Sequence, residues 1–353
     1  MKVDENKLFL WVLGVLALLG LILFILYPGN GSSSGQQISF SGETMGTTYE
    51  VQIAGSELDD SQIFALKQLV DTELIAVNDA MSTYIPESEI SSFNRLDAGI
   101  WIPVGNRFRA VLIRSGEIME LTMGAFDPTL GPLIDLWGFG AKSVEGEIPS
   151  QAQIQSALNE MGFDKLELGA QGLRKNLEGL EINLSAIAKG FGVDRLASLL
   201  RAEGYENVYV EIGGELFCAG VNGRGLPWQI GIQIPSMGAS ESAMKVVRLE
   251  NAALATSGDY RNYVSDEKGL RHHILDPRTG RPASHTLASV SVITDDCMDA
   301  DSLATAFFVM GTEEGLKLAE QLPAVEALFI DRREGEFELT TTEGFKQAII
   351  LVP

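Results

Sequence analysis

From Leu8 to Tyr27 the chain reads LFLWVLGVLALLGLILFILY, about 20 residues without one charged side chain. As a helix, such a run covers the roughly 30 Å hydrocarbon core of a bilayer. A secretory signal core is shorter, about 7–15 residues, and leads into an A-x-A-like cleavage site. Here Pro28-Gly29-Asn30-Gly31-Ser32-Ser33-Ser34-Gly35 follows instead, the composition of a flexible linker. No cysteine stands nearby to carry a lipid. The sequence therefore divides into a membrane anchor with its linker, residues 1–35, and a second part, residues 36–353. Lys2 and Lys7 precede the apolar run, and Asp4 and Glu5 offset them only in net charge. Because Lys/Arg bias governs orientation, the N-terminus is expected in the cytoplasm. The expectation is a single-pass anchor in the cytoplasmic (inner) membrane, with the rest on the periplasmic side. A cleaved signal peptide is the alternative.

Composition narrows what the second part does. The chain carries 26 Lys+Arg against 48 Asp+Glu, a formal charge of −22. Nucleic-acid binding needs clustered cations to displace counterions from phosphates, so a DNA or RNA partner is excluded. A hydrophobic fraction of 45% supplies a real core and excludes general disorder. Cys218 and Cys297 are too few for a disulfide scaffold or an all-cysteine zinc site. An oxidising compartment allows them to pair, but two buried apolar thiols are the expectation.

Periodicity predicts alternating strands and helices without an internal linker or repeat. Two short strands flank Glu43-Thr44-Met45-Gly46 within Ser39–Ile53, with Tyr49, Val51 and Ile53 alternating. Helices are predicted over Ser61–Ala80, Arg107–Thr122 and Gln151–Met161, and Gly124–Gly140 reads as an ordered loop. A short strand, Leu180–Asn183, runs into a helix from Ser185 to Glu203. Strands follow at Val208–Ile212, Leu216–Val221, Trp228–Ile234, Lys245–Leu249 and Tyr260–Val264. Asp276–Gly280 is a turn by composition. Ser289–Ile293 is a strand, Asp299–Met310 and Glu313–Gln321 are helices, and Val325–Asp331 and Phe337–Thr341 are the last strands. The pattern is one large α+β domain.

Absent motifs narrow the chemistry. No G-x-G-x-x-G follows a strand, and Gly140-Ala141-Lys142-Ser143 lacks the spacing of a phosphate-binding P-loop. Neither H-E-x-x-H nor G-x-S-x-G occurs, and His272, His273 and His285 are the only histidines. Four constellations remain. Asp301 and Thr305, four apart on a helix, face one way and offer hard oxygen ligands suited to Mg²⁺. Asp299 beside them reads as an N-cap, and the alternative is that Asp299 and Asp301 merely complement the helix dipole. Asn183 to Gly192 joins a strand end to a helix start, with Ser185 as N-cap, and reads either as a phosphate site with Lys189 as a point charge or as an ordinary capped helix. Gly190 and Gly192 weaken that helix, so something packs close to its backbone. Gly124-Ala125-Phe126-Asp127-Pro128-Thr129 places an Asp in a ligand-contacting loop or a plain turn. His273, leading into the Asp276–Gly280 turn, is a candidate general base or a structural histidine.

Taken together these segments resemble the ApbE family of FAD:protein FMN transferases. The resemblance runs in order through Met45–Tyr49, Met81–Tyr84 with Ser88–Ser91, Gly124–Gly140, Leu184–Gly192, Ala255–Tyr260, His273–Gly280 and Asp299–Thr305. It implies an α+β fold with a T-fold-like core, binding of FAD and Mg²⁺, and transfer of the FMN half of FAD to a threonine hydroxyl of a partner, releasing AMP. The implied acceptors are subunits of membrane redox complexes such as sodium-pumping NADH:quinone oxidoreductase. By the resemblance, Met45, Tyr84, Ala125, Phe126, Asp127, Asn183, Lys189 and Ile274 match FAD-holding positions. Ala186, through its backbone carbonyl, matches a metal position together with Asp301 and Thr305, and His273 matches the base. Some members carry an acidic residue in place of Asn183 or Lys189, and an Asp in place of Ala304. Two other readings use the same site: an Mg²⁺-dependent pyrophosphatase cutting FAD to FMN and AMP, and a membrane-tethered flavin-binding protein without turnover.

Overall fold

Strands such as Glu215–Ala219 and Leu287–Thr294 are buried along nearly their whole length, which makes a sheet covered on both faces, while Val208–Ile212 alternates. The computed structural model describes residues 37–141, 148–233, 244–259, 263–266, 269–333 and 336–350. The main sheet has eight strands: β1 (Gln37–Thr44), β2 (Thr47–Ala54), β3 (Val208–Ile212), β4 (Glu215–Ala219), β5 (Ala252–Gly258), β6 (Leu287–Thr294), β7 (Glu326–Arg333) and β8 (Glu336–Thr341). They hydrogen-bond in chain order, and every neighbouring pair is antiparallel. Phe217, Ala253, Ala255, Ala327 and Phe329 point to one face, under the helices. Leu216, Cys218, Leu254, Leu328 and Ile330 point to the other. There they meet Trp228, Ile230, Val247 and Leu249 of a three-stranded sheet formed by Trp228–Gln233, Met244–Leu249 and Ile349–Ile350. The result is three layers: helices, large sheet and small sheet.

The helices are insertions between these strands. They are α1 (Asp60–Met81), α2 (Glu89–Asn94), α3 (Asn106–Leu121), α4 (Gly131–Leu136), α5 (Gln151–Asn159), α6 (Ala188–Ala202), α7 (Cys297–Ala319) and α8 (Glu343–Ala348). α6 packs on β3 and β4, and α7 on β5 and β6, so the two lie side by side over the sheet. Their contact is backbone to backbone: a Cβ at Gly190 would overlap the Cys297 carbonyl and stand 2.8 Å from Met298 Cα. Gly192 makes room differently, since a Cβ there would meet only side-chain ends, Ile212 Cδ1 at 3.0 Å and Met45 Cε at 3.1 Å. α7 breaks at Gly311, whose φ of 77° no helical residue adopts, as the two helices expected from the sequence require.

Several expectations are corrected. Leu180–Asn183 forms no strand. The side chain of Asn94 holds it instead, donating to the Ile182 carbonyl and accepting from the Ile182 N–H, both at 2.9 Å. α6 begins at Ala188, not Ser185, because the Ser185 N–H is bound by Asn183 Oδ1 in a local turn. Asp296, not Asp299, caps α7; Asp299 forms a two-point ion pair with Arg114, at 2.6 and 2.5 Å. The Gly124–Gly140 loop contains α4. β5, α2, α8 and the hairpin of Leu166–Gly169 with Gly172–Lys175 were not expected. Of the strand expected at Tyr260–Val264, residues 260–262 lie outside the described residues, and a strand runs over Tyr263–Asp266. Cys218 and Cys297 are both buried and unpaired. The apolar run at 8–27 lies outside the described residues, among which no helix is long and apolar enough to cross a membrane.

The α6–α7 contact gives a test. Gly190→Ala sets a methyl against backbone that cannot rotate away, and is expected to cost about 3 kcal/mol in urea unfolding. Gly192→Ala meets the flexible end of Met45 and gains helix propensity, so its net change is expected within about 1 kcal/mol.

Candidate active site

A cavity of about 1000 Å³ lies where the starts of α6 and α7, the β1–β2 turn, the 124–140 segment and residues 273–277 converge. That is the upper end of the range for small-molecule sites. Met45, Tyr84, Ala125, Phe126, Asp127, Asn183, Ala186, Lys189, His273, Ile274, Asp301 and Thr305 all line it, so the structure brings every candidate from the sequence to one place.

One end of the cavity is polar and charged. Asp301, buried on α7, accepts the Gly190 N–H through Oδ2 at 3.0 Å, and its Oδ1 is 3.5 Å from Lys189 Nζ. Lys189 Nζ is also 3.3 Å from Glu215 Oε2, at the start of β4. Lys189 is thus matched twice and is not a spare charge for a phosphate. Burial works against its ammonium, but the Asp301 and Glu215 carboxylates outweigh burial and raise it above the ordinary lysine range. Two carboxylates and one ammonium leave this end with a net charge of −1. Thr305 follows Asp301 by one turn, and its Oγ1 lies 3.2 Å from Ser257 Oγ on β5. Ala186 lines the cavity in the turn that precedes α6.

These donors suit a hard cation. Among the described residues no three His, Cys, Asp or Glu side chains converge on a metal position. Asp301, the Thr305 and Ser257 hydroxyl residues and the main chain at Ala186 line the same cavity, while the Glu215 carboxylate is paired with Lys189. An ion held by so few protein charges completes its shell with water and substrate phosphate, which is the habit of Mg²⁺.

The other parts of the cavity are apolar and aromatic. Met45 and Gly46 are the central residues of the β1–β2 turn, with φ of 49° and 72°. Two positive φ values make the tight turn whose twist matches a hairpin, and they carry Met45 to the cavity. Tyr84 is 71% exposed and its hydroxyl is 3.4 Å from the Phe139 carbonyl, across the opening. The Phe139 ring meets His273 edge-on at 6.4 Å. His273 precedes a hairpin in which Leu275 pairs with Pro282 and Asp276 with Arg281. Trp137 Nε1 donates to the Gly280 carbonyl at 2.8 Å, tying this hairpin to the 124–140 segment. Asp127 Oδ1 accepts both the N–H and the hydroxyl of Thr129 at 2.7 Å. Burial raises its carboxyl above the usual range, and the Thr129 bonds oppose that. Asp127 therefore shapes its own loop while lining the cavity. Asn183 does the same, accepting from Ser185 N–H while its own N–H donates to the Pro128 carbonyl.

Glu215, Thr256, Ser257 and Gly258 also line the cavity and were not singled out as site residues. A signal existed for each. Glu215 is a carboxylate opening an otherwise apolar strand directly after Gly213-Gly214. Thr256-Ser257-Gly258 is a small polar run ending the strand that reads Ala-Ala-Leu-Ala.

Known proteins resemble this chain in sequence and in fold. Residues 45–329 match the ApbE family. A Vibrio cholerae protein named FAD:protein FMN transferase is 39% identical over 315 residues, covering 88% of this chain and 92% of the relative. A Haemophilus influenzae protein of the same name is 38% identical over 320 residues, covering 88% and 91%. The structure of flavin transferase ApbE from Vibrio cholerae superposes with a TM-score of 0.81 at 37% identity, covering 89% of this chain and 99% of that one. With four-fifths of its length matched in sequence and the same fold, the chain described here belongs to the ApbE family.

Proposed function

We propose that this chain is a FAD:protein FMN transferase, which moves the FMN half of FAD to an acceptor protein and releases AMP. The observation that carries the reading is the two-ended cavity. An aromatic and apolar end suits a flavin ring, and a charged end with hard oxygen donors suits a pyrophosphate. The names of its relatives support it. Asp301, Thr305 and the Ala186 carbonyl would hold Mg²⁺, and Met45, Tyr84, Ala125, Phe126, Asp127, Asn183 and Ile274 would hold FAD, with Lys189 fixing the Asp301 and Glu215 carboxylates at its phosphate end. Bound there, Mg²⁺ would offset the local formal charge of −1 and would polarise the phosphoryl oxygens.

The chemistry is a displacement at the FMN phosphorus. A threonine oxygen of the acceptor forms the new P–O bond, the bond to the AMP oxygen breaks, and AMP leaves. His273 takes the threonine proton at the cavity rim, where the acceptor enters. The fixed positions of Lys189 and Asp301 keep the charged end in place through the exchange, which limits reorganisation. The acceptor is a subunit of a sodium-pumping NADH:quinone oxidoreductase or a related redox complex. The core is T-fold-like, and residues 8–27 anchor it to the cytoplasmic membrane with the catalytic domain in the periplasm.

The test is incubation with FAD, Mg²⁺ and an acceptor domain bearing a candidate threonine, followed by mass spectrometry and detection of AMP. The expected outcome is one FMN on that threonine and an equal amount of AMP. Release of FMN and AMP with an unmodified acceptor would replace transferase with pyrophosphatase, and intact FAD throughout would leave a binding protein. EDTA is expected to abolish transfer and excess Mg²⁺ to restore it. Asp301→Asn, similar in size but one charge short, is expected to lower kcat/KM at least about 100-fold. His273→Ala is expected to lower kcat by about 10²–10⁴-fold, with FAD affinity measured by fluorescence changing less than threefold.

A further inference from the structure

α6 and α7 each start with backbone N–H groups that their own caps leave unmet. The first four N–H groups of any helix lack intrahelical partners. Ile187, the N-cap of α6, offers no side-chain acceptor. Asp296, the N-cap of α7, takes only the Asp299 N–H, at 3.0 Å. Each helix receives further caps from the other. Asp301 of α7 accepts the Gly190 N–H of α6 at 3.0 Å. Asp194 of α6 accepts the Cys297 N–H at 2.7 Å through Oδ1 and the Met298 N–H at 2.8 Å through Oδ2. Asp194 lies one turn beyond Gly190, so both contacts fall on the same helix face. They bracket the point where Gly190 touches Cys297.

We propose that Asp194 is a positioning residue for the transfer reaction: by clamping the first turn of α7 it sets where Asp301 and Thr305 stand, and through Asp301 it fixes the start of α6. The inference rests on the function proposed above. Its physical basis is a closed loop of contacts, Asp194 to Cys297 and Met298, along α7 to Asp301, across to Gly190, and back along α6. Loosening one contact loosens the other.

The electrostatics fit positioning better than stabilisation. Burial pushes the Asp194 carboxyl up, the Cys297 and Met298 N–H bonds hold it back, and Asp296 and Asp299 push it further, to about 7. The groups acting on it are those two carboxylates, of which Asp299 is itself paired with Arg114, and the neighbouring Cys297 thiol, which burial keeps protonated. A folded value above the ordinary one, about 3.9, means the folded chain holds this proton more tightly than the unfolded chain. This group's contribution to stability therefore falls as pH rises from about 4 to about 7. The ionised clamp is held against the stability of the fold. Below about pH 7 a proton on one oxygen faces an N–H donor, and the clamp loosens.

The test compares the full chain with Asp194→Asn and Asp194→Glu. Hydrogen exchange of the protein without metal or FAD reads the clamp directly. The Asn variant is expected to speed exchange at Cys297 and Met298, and also at Gly190, whose N–H is held by Asp301 and not by the Asp194 side chain, by at least about tenfold, with β1–β8 unchanged. In the transfer assay its half-saturating Mg²⁺ is expected to rise about tenfold while kcat at saturating Mg²⁺ stays within twofold. Half-saturating Mg²⁺ of the wild type is expected to rise as pH falls below 7, and that of the Asn variant to stay flat. Asp194→Glu keeps the charge and is expected to fall between the two; it gives the same readouts if the Asn variant does not fold. Unchanged exchange at Gly190, or a loss of kcat and melting temperature with an unchanged Mg²⁺ requirement, overturns the proposal. Absence of flavin transfer in the wild type overturns the proposed function instead, and the exchange result still judges the clamp.

Discussion

The backbone contact between α6 and α7 is what the rest of the site depends on. Only glycine at 190 lets the two helices approach until a carbonyl of one lies where a side chain of the other would start. At that separation the Asp301 carboxylate reaches the Gly190 N–H directly, and Lys189 falls between Asp301 and Glu215. The sheet beneath adds the second condition. β4 delivers Glu215 and β5 delivers Ser257 because α6 packs on one and α7 on the other. A looser helix pair would keep the same residues in the cavity and lose their mutual distances.

Charge then decides the chemistry. A chain of −22 that takes up a dinucleotide must create a favourable field locally, since its overall field repels an anion. The one lysine at the charged end does not supply it, because two carboxylates already match it. In the proposed reading a divalent cation beside Asp301 would supply it, and would leave coordination positions for the phosphates. That reading would also account for a donor set that looks poor as a metal site by itself, since the substrate would be part of it.

Much of this was legible in the sequence, and the failures have physical causes. Most strands of the main sheet were legible as alternating or continuous runs of apolar residues, and β5 escaped because Ala-Ala-Leu-Ala-Thr-Ser-Gly has little intrinsic strand preference and is held by neighbours on both sides. Leu180–Asn183 had the pattern of a strand but is satisfied by the Asn94 side chain, a contact across 88 residues that local pattern does not encode. Gly190 and Gly192 announced a close approach without saying to what. Asp301 and Thr305 were found by helical spacing, whereas Glu215 and Asp194 act only through the tertiary contact of α6 with its surroundings. Helix caps were misplaced for the same reason: Ser185 and Asp299 are ordinary cap residues by type, but one is used in a turn and the other by Arg114.

The most direct measurement is a crystal structure of the complex with FAD, with Mn²⁺ in place of Mg²⁺ and its anomalous signal used to locate the ion. The account expects one peak within bonding distance of Asp301, Thr305 and the Ala186 carbonyl, touching the FAD pyrophosphate, with the flavin ring against Tyr84. A peak elsewhere in the cavity, or a pyrophosphate bound at Lys189 without an ion beside Asp301, would contradict it.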